Sequence, residues 1–187
     1  MRDRSENPFF VAPQKKIVTH SPTTASVGTH KLYKMKNLYW TYTSFDDLTT
    51  TELYKIMQLR SEVFVVEQNC VYQDVDNKDL VSFHLAAWDK DNNDKLVAYC
   101  RILPQEISFK DASIGRVLTD KNYRKNGTGK ELMQRAIAAT LQQYTCNYIT
   151  IGAQLYLRKF YEALGFKQVS ETYLEDGIPH IDMQYKV

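Results

Sequence analysis

Arg124, Lys125, Asn126, Gly127, Thr128 and Gly129, with Lys130 and Glu131 after them, form a stretch whose residue types and spacing suit an anion. Glycine lets the backbone approach a ligand closely, a helix starting there aims several unsatisfied N–H groups outward, and Arg124 and Lys130 add full positive charge. Three phosphate-binding patterns compete, and spacing separates them. A Walker A loop needs Gly where Arg124 stands and Ser or Thr where Glu131 stands. A dinucleotide fingerprint needs a small residue at Leu132 and an acidic residue at a strand end about 20 residues on, and it has neither. What remains is R-x-x-G-x-G between a strand and a helix, which reads as a pyrophosphate cradle.

Other chemistry-bearing residues are less specific. Asp74, Asp76 and Asp79 invite a calcium-loop reading, but Lys78 occupies a ligand position, Asp79 the turn glycine and Leu85 the terminal Glu, so no metal site is expected. These acids are read instead as a negative rim that attracts a cationic amine. Arg60, Arg101 and Arg116 lie in otherwise apolar segments, which predicts buried or pocket-facing ion pairs with Glu67, Asp74 or Asp176, or a substrate carboxylate.

The elements that must position these residues follow from periodicity. Lys36 to Tyr42 is aromatic and β-prone, the first strand. Thr49 to Glu52 has the S/T-x-x-E form of a capping box, and Leu53, Ile56, Met57, Arg60 and Phe64 continue one helical face. The β-branched run Val63 to Val66 predicts that this helix gives way to a non-helical passage through Glu67 to Asp74. His84 to Trp88 and Leu96 to Leu103 read as a hairpin around the polar turn Asp89 to Asp94, and Ser113 to Leu118 as the next strand. Leu132, Met133, Ala136, Ile137 and Leu141 mark a helix of about four turns after the glycines. Tyr148 to Gly152 is a buried strand, and Leu155 to Leu164 a helix stopped by Gly165 at C′. Strand-like segments Lys167 to Thr172 and His180 to Lys186 flank Glu175 to Pro179. Strands alternating with helices give a mixed α/β (α+β) domain over residues 37–187, with a central sheet covered by helices. Residues 1–36, mixing Pro, Ser, Thr, Lys and His, read as a disordered extension.

The loop resembles the acyl-CoA pyrophosphate motif Q/R-x-x-G-x-G/A of the GNAT superfamily. Ile114 to Leu118 before it, Tyr148 to Gly152 and Leu155 to Leu164 after it, and the sequence Tyr161-Glu-Ala-Leu-Gly165-Phe166 agree in order with that family over roughly residues 38–187. The segments Leu59 to Asp74, Ile114 to Val117, Gly152 to Gln154 and Glu175 to His180 are similar to the ElaA-like branch, with Val71 where proline is expected and Gln154 where many GNAT enzymes carry Asn. The resemblance implies a mostly antiparallel mixed sheet splayed between its fourth and fifth strands. It implies an N-acetyltransferase in which a primary amine attacks acetyl-CoA directly. The cofactor-binding residues would be the main chain of Arg116, Val117 and Leu118, the loop Arg124, Lys125, Asn126, Gly127, Thr128, Gly129 and Lys130, and Gln154 and Tyr161. Tyr161 is the candidate acid beside the thioester sulfur, and Glu67, His84 and His180 are candidate bases. The competing readings are a covalent route through Cys70 and a non-catalytic acyl-CoA-binding module of the same fold. GNAT domains often dimerise, so a homodimer is also an expectation.

Composition narrows the partners. The chain is 43% hydrophobic and 12% aromatic, enough for a single core, and its formal net charge is +2. Seven of its 24 basic residues precede residue 37 against two acidic ones, leaving the rest mildly acidic and removing the electrostatic case for nucleic acid. Three cysteines without a CxxC pair fit reduced thiols, and with no membrane-length apolar run a cytoplasmic protein is expected.

Overall fold

The computed structural model describes residues 37–187, so the expected extension 1–36 lies outside the described residues. Helix α1 (Thr50–Arg60) begins as its capping box requires. The Thr49 hydroxyl accepts the Glu52 N–H at 3.2 Å while the Glu52 carboxylate accepts the Thr49 N–H at 2.8 Å. Beyond Arg60 the chain stays helical but widens through Ser61–Glu67, where Gln68 N–H reaches back five residues to the Val63 carbonyl. The β-branched run therefore changes the winding of the helix rather than stopping it, and the irregular passage begins at Gln68, one residue beyond the expected Glu67.

Eight strands form one sheet: β1 (Leu38–Ser44), β2 (Phe83–Asp89), β3 (Lys95–Leu103), β4 (Ala112–Thr119), β5 (Tyr148–Gln154), β6 (Phe166–Gln168), β7 (Tyr173–Glu175) and β8 (Ile178–Lys186). Their order is β1-β2-β3-β4-β5-β8-β6, with β7 pairing β8, and every contact is antiparallel except β4 with β5. Alternation along the strands supplies two apolar faces. Ile56, Leu59 and Val63 cover Ala86, Trp88, Tyr99 and Leu118 on one side. Helix α2 (Thr128–Gln143) and helix α3 (Arg158–Glu162) lay Leu132, Met133, Ala136 and Tyr161 over Ala98, Cys100, Ile102, Ile149 and Ile151 on the other.

The strand expected over Lys167 to Thr172 divides in two. β6 ends at Gln168, and Tyr173 to Glu175 pairs with Ile178 to His180 in a hairpin whose turn residues Asp176 and Gly177 both have positive φ, 50° and 80°. A two-residue turn of that hand matches strand twist, which draws Ile178 and Pro179 into β8. Gly165, at φ 97°, ends the α3 region as expected, and a Cβ there would stand 3.1 Å from the Tyr185 ring.

The feature that makes a site is a failure of pairing. β4 and β5 share only Ala112 with Ile149 and Ser113 with Thr150, after which both strands run on without pairing to each other. Between Tyr99 and Arg101 of β3 the register with β4 slips from Leu118 to Gly115, placing an extra residue in β4. Arg116 sits there at φ 52°, a left-handed conformation that costs energy for any residue but glycine. This bulge bends β4 away from β5.

Candidate active site

The glycine loop lies between β4 and a helix, as the sequence places it. After β4, residues 121–123 make one tight turn, and Arg124 to Gly127 lead into α2. Lys125 has φ 63° and Gly127 φ 92°, and a Cβ at Gly127 would meet nothing within 4 Å. The residue thus supplies backbone freedom and open space above the helix end. The first turn of α2 leaves the N–H groups of Gly129 and Lys130 without intrahelical acceptors, and Gly127 offers no capping side chain. Thr128 is tied down by its neighbour: its hydroxyl donates to Asn126 Oδ1 at 2.7 Å.

On the α1 side of the opening between β4 and β5 lies an ion lattice. Arg60, fully buried, donates to Asp74 at 2.9 Å and to Asp79 at 2.8 Å. Arg101 holds Asp76 at 2.6 Å and Asp79 at 3.2 Å, and Arg116 holds Asp74 at 2.6 Å and Asp76 at 3.4 Å. Three acids thus face three bases. Burial alone would raise the Asp76 pKa, yet the hydrogen bond and charge of Arg101 hold it down to about 2. The expected negative rim is therefore an internal, neutralised clamp that fastens residues 74–79 to β3 and to the β4 bulge. Of the arginine partners foreseen, Asp74 is used, Glu67 pairs elsewhere, and Asp176 lies in the β7–β8 turn.

The candidate proton-transfer residues separate in space. Tyr161 is 5% exposed, its ring set edge-on to Phe160 and Phe166, and its hydroxyl has no partner among the described residues. Burial pushes its pKa well above the ordinary tyrosine range, so it keeps its proton at neutral pH. Glu67 ends the widened helix and accepts from Arg124 at 2.6 Å, linking the cradle to the acceptor side. His84 is 1% exposed with both ring nitrogens engaged. Its Nε2 donates to the Asp79 carbonyl, which can only accept, so its Nδ1 takes the Tyr99 hydroxyl at 2.8 Å. Burial drags its pKa to about 4, and it is a structural histidine beneath the clamp. His180 stands opposite Gln154 on the β5–β8 ladder; its Nδ1 donates to the Ile178 carbonyl at 2.8 Å, leaving Nε2 without a partner among the described residues. Gln154 reaches Gln68 at 3.2 Å, and Cys70 Sγ lies 3.9 Å from the Asp176 carbonyl. The passage after α1 and the β7–β8 turn thereby meet over the opening. Burial and the acids Asp176 and Glu175 raise the Cys70 pKa, which disfavours a thiolate.

Sequence reasoning missed Phe109, Asp111, Tyr173 and Asp182, which gather near Thr150 and Gly152 on β5. One signal was available. In Tyr148 to Gln154 the apolar Ile149, Ile151 and Ala153 alternate with Thr150, Gly152 and Gln154, so β5 is not buried on both faces, and Gly152 is exposed in mid-strand.

Fold and cradle define an acetyltransferase of the GNAT class: the Acetyltransferase (GNAT) domain family matches residues 48–187, and the chain belongs to that family. Within it the chain is similar to Protein ElaA of Escherichia coli, with 40% identity over 79% of this chain and 96% of that protein. The ElaA crystal structure superposes with a TM-score of 0.73, covering 80% of this chain and 99% of that one. A UPF0039 protein of Schizosaccharomyces pombe is 42% identical over 82% of this chain and 100% of its own length. An acyl-CoA N-acyltransferase from Pseudomonas aeruginosa, 43% identical, superposes with a TM-score of 0.73 over 79% of this chain and 99% of that structure. No helix among the described residues is long and apolar enough to cross a membrane.

Proposed function

We propose that the protein transfers the acetyl group of acetyl-CoA to a primary amine by direct attack, without a covalent enzyme intermediate. The observation that carries this reading is the early end of β4–β5 pairing after Ser113 and Thr150, beside a cradle fit for a pyrophosphate. Main chain from Arg116 to Leu118, unpaired on its β5 side, would then bind the pantetheine arm and offer an N–H to the developing oxyanion. Arg124, Lys125, Asn126, Gly127, Thr128, Gly129 and Lys130 would hold the pyrophosphate, the glycines by leaving room and α2 by its free N–H groups. Acetyl-CoA supplies the activated acyl group.

The protein's own groups would move the protons. His180, fixed in one tautomer by the Ile178 carbonyl, presents a free Nε2 as base for the incoming amine. Tyr161, held protonated by burial, is the acid for the departing thiolate. Glu67 is occupied by Arg124 and His84 is closed off, so neither is assigned the base.

The test is steady-state thiol release from acetyl-CoA across a panel of primary amines. Amine-dependent release that survives Cys70→Ala supports the reading. Tight acetyl-CoA binding with no turnover on any amine overturns it in favour of a binding module, and an acetyl adduct on Cys70 overturns direct attack.

A further inference from the structure

We propose that the acceptor carries a second cationic group, bound in the trough over Gly152, so that the substrate is a small aliphatic diamine or polyamine. This rests on the acetyl-transfer reading for the fate of the first amine; the second subsite is argued from the following geometry.

Gly152 is exposed in the middle of β5, and a Cβ there would stand 3.3 Å from the Tyr173 hydroxyl, 3.7 Å from the Phe109 ring and 4.0 Å from Asp182 Oδ1. Its missing side chain keeps open a space bounded by two aromatic rings and a carboxylate. The phenol oxygen and the carboxylate offer an ammonium group hydrogen-bond acceptors and an opposite charge.

Charge matching points the same way. Asp74, Asp76 and Asp79 are matched by three arginines, whereas Asp182 and Asp111 have no lysine or arginine within 4 Å among the described residues. Asp182 Oδ1 accepts only the neutral Tyr173 hydroxyl at 2.7 Å, and Asp111 Oδ2 accepts from Thr150 at 3.0 Å and Gln184 at 3.2 Å. Neither carboxylate has a cationic side chain beside it among the described residues.

A second, independent observation lies in the trough floor. Ser113 is 1% exposed and its Oγ has no hydrogen-bond partner, although it stands directly across from Thr150, one same-face step from Gly152. A buried hydroxyl without a partner is unfavourable, and a donor bound beside it would satisfy it.

Size follows from the spacing. Gln68 meets Gln154 at 3.2 Å and Cys70 meets the Asp176 carbonyl at 3.9 Å at the far end of this strand. Gly152 and Gln154 are two residues apart on one strand, ~7 Å. That is the reach of a four- or five-carbon spacer from the trough to the His180–Gln154 end.

The experiment is calorimetric titration of the full chain, saturated with CoA, using 1,5-diaminopentane and pentylamine, which differ only in the second nitrogen. The diamine should bind at least tenfold more tightly. Asp182→Asn, or Asp111→Asn as the second variant, should cut that preference to threefold or less, while Tyr173→Phe, which breaks the same hydrogen bond but keeps the carboxylate, should retain it. Equal affinity for the two amines, a preference untouched by both Asn variants, or a lysyl hexapeptide binding as well as the diamine overturns the proposal. A diamine preference without thiol release sinks the acetyl-transfer reading alone. Release with equal affinity and equal kcat/KM for both amines sinks the second subsite alone.

Discussion

The Arg124 guanidinium lies 2.6 Å from the Glu67 carboxylate, so one ion pair joins the glycine loop ahead of α2 to the end of the first helical region. Arg124 is 42% exposed, and exposed pairs contribute at most about 1 kcal/mol. A pyrophosphate offers Arg124 more charge than Glu67 does. Glu67→Gln should therefore free Arg124 and lower the acetyl-CoA KM about two- to fivefold, and Arg124→Ala should raise it at least tenfold. Initial-rate kinetics at varied acetyl-CoA decide this, and a higher KM in Glu67→Gln contradicts it.

The two loop glycines should fail differently. Gly127 is at φ 92°, so Gly127→Ala should lose about 1 kcal/mol of stability from backbone strain as well as acetyl-CoA affinity. Gly129 shows no such φ, and its Cβ would meet Thr119 Oγ1 at 3.5 Å and Phe160 at 4.0 Å, ordinary contacts. Gly129→Ala should keep the wild-type Tm and still bind acetyl-CoA weakly, because the added methyl group blocks only the ligand. Thermal melts beside CoA titrations of both variants check the contrast.

Tyr161→Phe removes a hydroxyl with no partner among the described residues and leaves the ring packing intact. Stability should stay within about 0.5 kcal/mol of wild type. If the hydroxyl protonates the leaving thiolate, kcat should fall about 100-fold with little change in either KM. A wild-type kcat would reduce Tyr161 to a packing residue.

His84 should make stability fall on mild acidification. Its folded pKa, about 4, lies below its ordinary 6.5, so between those values the unfolded chain binds the proton and the folded one does not. The contribution is fully present above pH 6.5 and is lost as pH falls towards 4, about 3 kcal/mol in all. Urea melts at pH 7.5, 6 and 5 should show the decline, and His84→Gln should flatten it. Equal slopes in the two proteins would remove His84 as the cause.

Some features were legible because their causes are local. The capping box at Thr49 and Glu52, the R-x-x-G-x-G spacing before α2 and the stop at Gly165 each depend on residues a few positions apart, and each is found where the sequence places it. The widening at Ser61–Glu67 and the split of β6 from β7 were hidden, since β-branched residues suit both a strand and a distorted helix.

The amino-acid sequence by itself determined the glycine loop, the alternation of strands and helices around it and the family that shares them. These are matters of spacing, backbone freedom and periodicity along the chain. Only the tertiary structure decided how the charges pair. Asp74 meets Arg116 across 42 positions and Arg124 meets Glu67 across 57, distances that no periodicity spans. For the same reason folding alone reveals that Asp74, Asp76 and Asp79 are neutralised while Asp111 and Asp182, unremarkable in the sequence, stand as uncompensated carboxylates beside the bare strand at Gly152.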